Sequence, residues 1–363
     1  MNHAHRIDRV RDQMARMGVD VLCCSVGPDL PYLTGYTAMP LERLTMLVLP
    51  ASGDARLVVP RLEVPRVDPR TDVFEIVAWA ETDDPVAIVA RLIGPGAGVV
   101  AVGDHTWSRF LLALQQALPA TRFVPGATVT GPVRMVKDEE EVAALQRAAT
   151  AVDTIAAEMR TRPFAGRTEL EVHRELVDRM VAHGHERANF AIVAAGAHAA
   201  SPHHDPSPAR VIGEGVVVLC DFGGTLDGYC SDITRMFHVG EPPTEVADAY
   251  RVLVEAQETA VRAAVVGAAC ATVDAAARTV IAAAGLGDRF IHRVGHGIGT
   301  EAHEDPYLVA GNDLALVPGH AFSVEPGIYV PGRFGMRLED IVVATAAGPR
   351  RLNRADRDLA VVG

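Results

Sequence analysis

The sequence lacks most of what an exported, membrane-bound or nucleic-acid-binding protein requires. Its 363 residues include no uninterrupted apolar run of the roughly 18 residues that a membrane span needs. The polar stretch at residues 1–8 has no apolar core like that of a signal peptide, so we expect a cytoplasmic protein without a membrane partner. The net charge is −12 and no basic block is present. Because an acidic surface repels phosphates, nucleic acid is excluded as an expected partner.

Cysteine is also scarce. The five cysteines include one adjacent pair, but they form no C-x-x-C motif and no spacing typical of a metal finger. An odd number of thiols with this spacing is typical of reduced cysteines in the cytosol. We therefore expect free thiols in this protein.

The length is sufficient for two domains, each with its own core. In residues 1–130, strand-like runs alternate with helical patterns, which predicts a small α/β domain with a mixed sheet. Gly-Pro and Pro-Gly steps at residues 125–137 indicate a linker. Residues 137–363 combine amphipathic helices with strands, and the chain as a whole is predicted to be α+β. The acidic run 138–141 suits the positive end of a long helix, and Thr168 is expected to cap the next one.

The stretch Asp221–Arg235, DFGGTLDGYCSDITR, carries the first chemical signal. The apolar run 216–220 before it predicts a buried strand, and the glycines that follow predict a hairpin. Asp221 and Asp232 are eleven residues apart, so paired strands can bring them to one point. Carboxylates at one point repel each other unless a cation or proton holds them, which indicates a metal site. The alternative is a surface turn with two solvated aspartates.

Three further polar clusters follow downstream. His296 has a glycine on both sides, so its imidazole is the only side chain that extends from this stretch of backbone. Glu325 stands at the end of a strand, before a turn. Arg337 and Glu339 alternate onto one face of a strand. The candidate ligands all adjoin glycine or lie in strand-like sequence: Asp221, Asp232, His296, Glu325 and Glu339. Four carboxylates and one imidazole suit two hard or borderline divalent ions, which together can form a hydrolytic centre.

In this order, the motifs resemble those of the pita-bread metallopeptidases, the family of methionine aminopeptidase, Xaa-Pro aminopeptidase, prolidase and the metal-free creatinase. Residues 1–130, with Pro31-Tyr32-Leu33-Thr34-Gly35, resemble the creatinase-type N-terminal domain, and residues 137–363 resemble the catalytic domain. The resemblance implies a pita-bread fold preceded by a smaller α/β domain. It also implies a homodimer formed through the N-terminal domain.

The resemblance implies a role for each ligand. Asp221 would chelate the first metal ion, His296 and Glu325 would bind the second, and Asp232 and Glu339 would bridge both. The ions would be Mn²⁺, with Co²⁺ or Zn²⁺ as alternatives. They would lower the pKa of a water that attacks the scissile carbonyl, and Glu325 would help to take its proton.

The resemblance also implies catalytic roles outside the ligand set. His303 would stabilise the tetrahedral intermediate and help to move a proton to the leaving nitrogen. His203 would lie near P1′, the residue after the scissile bond, whereas His204 would be a bystander. Arg337 would orient a carboxylate ligand or hydrogen-bond the substrate.

The resulting prediction is a metallopeptidase that acts on short peptides, an Xaa-Pro dipeptidase. An Xaa-Pro aminopeptidase acting on longer peptides is the alternative, and an inactive binding module is a third reading. Prolidases often carry an arginine, between the second catalytic histidine and the Glu-Pro-Gly motif, that holds the dipeptide's C-terminal carboxylate. Residues 304–324 contain no Arg or Lys. Either Arg333 or Arg337 replaces that arginine, or strict dipeptide selection is absent.

Overall fold

The computed structural model describes residues 2–363, which form two compact units, residues 2–134 and residues 135–363. Both units combine helices with sheets, as the predicted α+β class requires. In residues 2–363 no helix is long and apolar enough to cross a membrane. All five cysteines are buried and free, as expected from their spacing.

The first unit is a mixed sheet with helices on both faces. Its elements are α1 (His3–Met17), β1 (Val21–Cys24), α2 (Asp29–Thr34), β2 (Met46–Pro50), β3 (Arg56–Pro60), a 3₁₀ helix (Arg61–Arg66), β4 (Glu75–Trp79), α3 (Pro85–Ile93), β5 (Val99–Val102), α4 (Ser108–Ala117), β6 (Arg122–Pro125) and α5 (Ala127–Met135). The strand order is β4-β3-β2-β1-β5-β6. Within β1, Leu22 and Cys24 join a core that includes α1, while Val21 and Cys23 join a core that includes α3 and α4.

The prediction of a linker at residues 125–137 is wrong, because α5 occupies most of this range despite the Gly-Pro step inside it. Tertiary contacts outweigh the poor helix propensity of that step. Val129 and Val133 pack into the core of the first unit. Arg134 forms a buried ion pair with Asp29, with 2.9 Å between Nη1 and Oδ1. None of these partners is near in sequence, so composition alone could not reveal the helix.

The second unit contains two five-stranded sheets and a hairpin. Its elements are α6 (Glu139–Met159), α7 (Glu169–Ala182), β7 (Arg187–Ala195), a 3₁₀ helix (Gly196–Ala200), β8 (Val217–Leu226), β9 (Tyr229–Cys230), β10 (Ile233–Val239), α8 (Thr244–Ala263), α9 (Cys270–Ala283), a 3₁₀ helix (Gly287–Arg289), β11 (Gly295–Gly297), β12 (Glu304–Leu308), β13 (Ala321–Val324), β14 (Gly327–Val330), β15 (Phe334–Arg337), β16 (Asp340–Thr345), β17 (Gly348–Arg351) and β18 (Ala360–Val362). One sheet has the order β18-β10-β8-β7, with β9 paired to β8. The other has the order β12-β11-β13-β16-β17, and β14 pairs with β15.

Strand β8 lies at the centre of this unit and is buried on both faces. Val217 and Leu219 join a core that includes residues of α8 and α9. Val218 and Cys220 point the other way, into a core that includes residues of α6 and α7. Because both faces are covered, any charged residue on β8 must find its partners inside the protein.

The first two helices of the second unit begin where the sequence predicts. Asp138 accepts a hydrogen bond from the backbone N–H of Glu141 at 2.8 Å, and the Glu141 side chain accepts one from the Asp138 N–H in return. Thr168 and Glu171 form the same reciprocal pair at the start of α7. These capping boxes satisfy backbone donors that the helices leave free.

We expect Leu253→Ala, in the middle of α8, to lower the free energy of unfolding by about 2–5 kcal/mol, because Leu253 is completely buried in the core and its truncation leaves a cavity. Urea denaturation followed by circular dichroism measures this loss. Leu314→Ala is the matched control, since Leu314 is 41% exposed in a loop. Equal losses for the two variants would contradict this description of the core.

Candidate metal centre and substrate cavity

Asp221 and Asp232 come together through the turn that follows β8. Asp221 lies within β8, and Asp232 lies between β9 and β10, both of which pair with β8. Gly223 permits this close approach, because a Cβ at that position would overlap the carbonyl oxygen of Ser231. Both aspartates are buried. The two carboxylates therefore lie together in the interior. The alternative of a surface turn with two solvated aspartates is wrong.

His296 reaches the same place from β11. The glycines on either side of it have no room for a Cβ, which would overlap backbone atoms of β13 on one side and β12 on the other. The Nε2 atom of His296 is 3.3 Å from Oε1 of Glu325 and 3.7 Å from Oδ2 of Asp232. The ring of His303 lies beside it, with 3.8 Å between the ring centroids.

Glu325 and Glu339 enter from two further strand ends. Glu325 follows β13, and Glu339 lies between β15 and β16. The hydroxyl of Thr234, on β10, donates a 2.7 Å hydrogen bond to Oε2 of Glu339. Glu339 is thereby linked to the strand that pairs with β8.

The predicted ligands form overlapping groups in which one ligand atom per residue lies within 4.8 Å of the others. These groups are Asp221, Asp232 and Glu339; His296, Glu325 and Glu339; and Asp232, His296 and His303. Glu339 is shared by the first two groups, and Asp232 by the first and third. All five predicted ligands thus belong to one connected cluster, with His303 at its border.

The electrostatics of this cluster fit bound cations. Burial raises the pKa of Asp221, Asp232 and Glu339, and repulsion from neighbouring carboxylates raises it further. Among the residues that the structure describes, Oδ1 of Asp221 and Oε1 of Glu339 are buried without a hydrogen-bond partner. Such oxygens are costly unless something binds them. Divalent ions would satisfy these oxygens and neutralise the repulsion.

Glu325 behaves differently from the other carboxylates. Burial alone would raise its pKa, but the hydrogen bond with His296 and the charges of His296, His292 and Arg337 together outweigh burial and lower the pKa to about 2. The hydroxyl of Ser323 donates a further hydrogen bond to Oε1 of Glu325 at 3.2 Å. Glu325 is therefore the carboxylate of the cluster that ionises most readily.

Arg337 is buried beside the cluster, and each of its nitrogens has a protein partner. Nη2 donates a 2.5 Å hydrogen bond to Oδ2 of Asp221, and Nη1 donates one of 2.8 Å to the hydroxyl of Tyr329. Nε donates to Oγ1 of Thr234 at 3.2 Å. These contacts suit the predicted role of Arg337 in orienting a carboxylate ligand. They leave its guanidinium few N–H donors with which to hydrogen-bond a substrate.

The cluster opens into a cavity of about 1160 Å³. His203, His303 and the five predicted ligands line it, together with apolar side chains: Phe190, Ala191, Ile192, Pro202, Ile291 and Val309. A concave apolar surface with a few converging polar groups is typical of a site for a small ligand.

The loop that carries His203 is held by Glu169, a residue that no sequence motif marks as part of the site. The buried Glu169 carboxylate accepts hydrogen bonds from the backbone N–H of Ser207 and Ala195, and hydrogen bonds join it to the rings of His198 and His204. These three side chains are close enough to hold a metal ion, but the carboxylate is already satisfied. The expected bystander His204 thus contacts Glu169 and also lines the cavity.

Tyr329 and His292 were also missed. The hydroxyl of Tyr329 lies 2.9 Å from Nε2 of His292 and accepts the hydrogen bond from Arg337. The available signal was Gly327, which lies opposite Arg337 in the hairpin. A Cβ at Gly327 would overlap the ring of Tyr329, so the glycine makes room for it.

Comparison with known proteins agrees with this geometry. Residues 142–346 match the model of metallopeptidase family M24, and residues 6–136 match the creatinase/prolidase N-terminal domain. A probable dipeptidase PepE of Mycobacterium tuberculosis is 43% identical over 364 residues, covering 99% of this chain and 96% of that protein. The resemblance inferred from the motifs is thereby confirmed.

Solved structures support the same conclusion. A prolidase from Thermococcus sibiricus is 35% identical and superposes with a TM-score of 0.93, covering 99% of each chain. An Xaa-Pro dipeptidase from Bacillus anthracis is 30% identical with a TM-score of 0.90, covering 99% of this chain and 100% of that one. These likenesses confirm the predicted pita-bread fold.

We expect Glu339→Gln to weaken metal binding without destabilising the metal-free protein, because the change removes one of several repelling carboxylates. After treatment with a chelator, the variant should melt at or above the wild-type temperature. Mn²⁺ should then stabilise the wild type by about 2.7 kcal/mol at 100 times its Kd, and the variant at the same concentration much less.

The matched control is Glu245→Gln, because Glu245 is exposed and paired with Arg333. Differential scanning fluorimetry with and without Mn²⁺ measures all three proteins. An equal Mn²⁺-dependent shift in Glu339→Gln and the wild type would show that the cluster is not the metal site.

Proposed function

This chain belongs to metallopeptidase family M24, and we propose that it hydrolyses the peptide bond before proline in short peptides, most readily in Xaa-Pro dipeptides. The observation that carries this proposal is that the five candidate ligands and two histidines border a single cavity with an apolar lining. A prolidase and an Xaa-Pro dipeptidase are among the structures that match the chain over nearly its whole length.

The metal ligands in this proposal are those that the sequence suggested. Two divalent ions, Mn²⁺ with Co²⁺ or Zn²⁺ as alternatives, would be held by Asp221, Asp232, His296, Glu325 and Glu339. When bound, such ions supply a water with a lowered pKa and polarise the scissile carbonyl. Arg337 would keep the Asp221 carboxylate oriented through its short hydrogen bond.

The other proposed roles belong to side chains that border the cavity. The Glu325 carboxylate would accept the proton of the attacking water. His303, whose ring lies beside that of His296, would donate a hydrogen bond to the tetrahedral intermediate and help to carry a proton to the leaving nitrogen. His203 would contact the P1′ residue from the loop that Glu169 holds.

Proline suits this cavity for a chemical reason. The nitrogen of an Xaa-Pro bond carries no hydrogen, so a site for it needs no acceptor at that point. The pyrrolidine ring is apolar, and the side chains of Ile192, Pro202 and Val309 are among those that line the cavity. A P1′ residue with an N–H would leave that donor without a partner on such a surface.

Cleavage of longer peptides, as by an Xaa-Pro aminopeptidase, remains the second candidate because residues 304–324 contain no arginine or lysine. An inactive binding module is less consistent with the chain, since none of the predicted ligands is missing. We also propose domain limits of 1–130 and 137–363 and a homodimer formed through the first domain. The cytoplasmic location stays a prediction.

A panel of Ala-Pro, Ala-Pro-Ala and Ala-Ala tests the proposed specificity. We expect metal-stripped protein supplied with Mn²⁺ to cleave Ala-Pro with the highest kcat/KM, because the cavity suits proline at P1′. Amino-acid analysis of the products measures each rate. Preference for the tripeptide would favour the aminopeptidase, and no turnover with any divalent metal would favour the binding module.

We expect His303→Ala to lower kcat on Ala-Pro by about 10²–10⁴-fold, the usual contribution of a general acid or base. The thermal unfolding temperature should stay close to that of the wild type. His183→Ala is the control, because His183 pairs with Glu158 and does not line the cavity. Loss of cooperative unfolding in His303→Ala would instead indicate a structural residue.

A further inference from the structure

A dipeptidase must distinguish the free carboxylate of its substrate from the amide that continues a longer peptide. A cation with directed N–H donors serves this purpose best. This question rests on the proposed function. No side chain in residues 304–324 can supply this cation, because that stretch lacks arginine and lysine.

Neither arginine considered from the sequence suits this role. Arg333 is exposed, forms an ion pair with Glu245 at 2.5 Å and is not among the residues that line the cavity. Arg337 lines the cavity, but its guanidinium is bound to Asp221, Tyr329 and Thr234. Binding a substrate carboxylate would require Arg337 to give up contacts that hold the cluster together.

Arg293 is the remaining arginine that lines the cavity. It lies two residues before β11, the strand that carries His296, so its backbone is fixed close to the ligand cluster. Its guanidinium carbon is 4.3 Å from the ring centroid of Tyr307, on β12. Within residues 2–363, no acidic side chain forms an ion pair with it. Arg293 thus faces the cavity with its charge unpaired.

We propose that Arg293 binds the C-terminal carboxylate of an Xaa-Pro dipeptide. The face of Tyr307 attracts the cation and limits its rotamers, so less freedom is lost when substrate binds. Arg293 is partly buried, which makes a charge-assisted hydrogen bond stronger than one in open water. The planar guanidinium can meet both oxygens of a carboxylate, whereas the neutral amide of a longer peptide offers only one acceptor.

The charge of the cavity supports this assignment. Four of the five candidate metal ligands are carboxylates, whose charge two divalent ions would only balance, and Arg337 is already paired with one of them. A substrate that brings another carboxylate into this surrounding needs a dedicated cation. Arg293 therefore accounts for dipeptide selection in a chain whose residues 304–324 contain no arginine.

The test combines a change in the enzyme with a matching change in the substrate. Arg293→Met and the wild type are compared on Ala-Pro and on its C-terminal amide, with Mn²⁺ present. We expect the wild type to prefer Ala-Pro over the amide by roughly 10- to 100-fold in kcat/KM, mostly through KM. In Arg293→Met this preference should disappear, because Ala-Pro loses its partner while the amide loses little.

Two further variants keep the result interpretable. Arg333→Met, which removes an exposed arginine outside the cavity, should leave the preference unchanged. Arg293→Lys should retain part of the preference, because the charge is kept and the planar pair of donors is lost. If Arg293→Met fails to fold, the wild-type preference and Arg293→Lys decide the question in its place.

Failure of this proposal is distinguishable from failure of the proposed function. If the wild type cleaves Ala-Pro but Arg293→Met slows both substrates equally, Arg293 has only a structural role. If the wild type cleaves Ala-Pro and its amide equally well, no residue of this protein recognises the C-terminal carboxylate of the dipeptide. If the wild type cleaves neither substrate, the proposed function itself is wrong and this inference falls with it.

Discussion

The repulsion between buried carboxylates is the constraint on which the second unit depends. Asp221, Asp232, Glu325 and Glu339 come from four separate places in the chain, and burial raises the pKa of three of them. Hydrogen bonds from Thr234 and Arg337 relieve part of the cost, but two carboxylate oxygens remain without partners. A fold that holds such a cluster in its core is consistent with one that is completed by cations.

Much of this could be predicted from sequence because the signals were local. Glycine beside a polar residue indicated where backbones approach closely, and the order of the motifs identified the family. The helix α5 was missed because its support comes from distant residues such as Asp29. Glu169, Tyr329 and Arg293 were missed for a related reason. Each acts through contacts across the fold, to the His203 loop, Arg337 and the cavity respectively, and no short motif encodes these contacts.

The cluster is surrounded by side chains that fix it in place. Arg337 connects Asp221 on one sheet to Tyr329 on the hairpin, and Tyr329 reaches His292 just before the strand of His296. One hydrogen-bonded path therefore runs from the ligand Asp221 to the segment that precedes His296. Preorganisation of this kind reduces the rearrangement needed when metal or substrate binds.

The glycines that lie beside the ligands also limit how the sequence of this protein can vary. Gly223 and the glycines beside His296 touch backbone directly and carry no chemistry, yet even alanine would not fit at these positions. In a saturation-mutagenesis map of activity they would be as intolerant as the ligands themselves. The intolerant positions in such a map would include glycines that the packing requires as well as residues that react. A count of invariant positions would therefore overstate the number of residues that take part in the reaction.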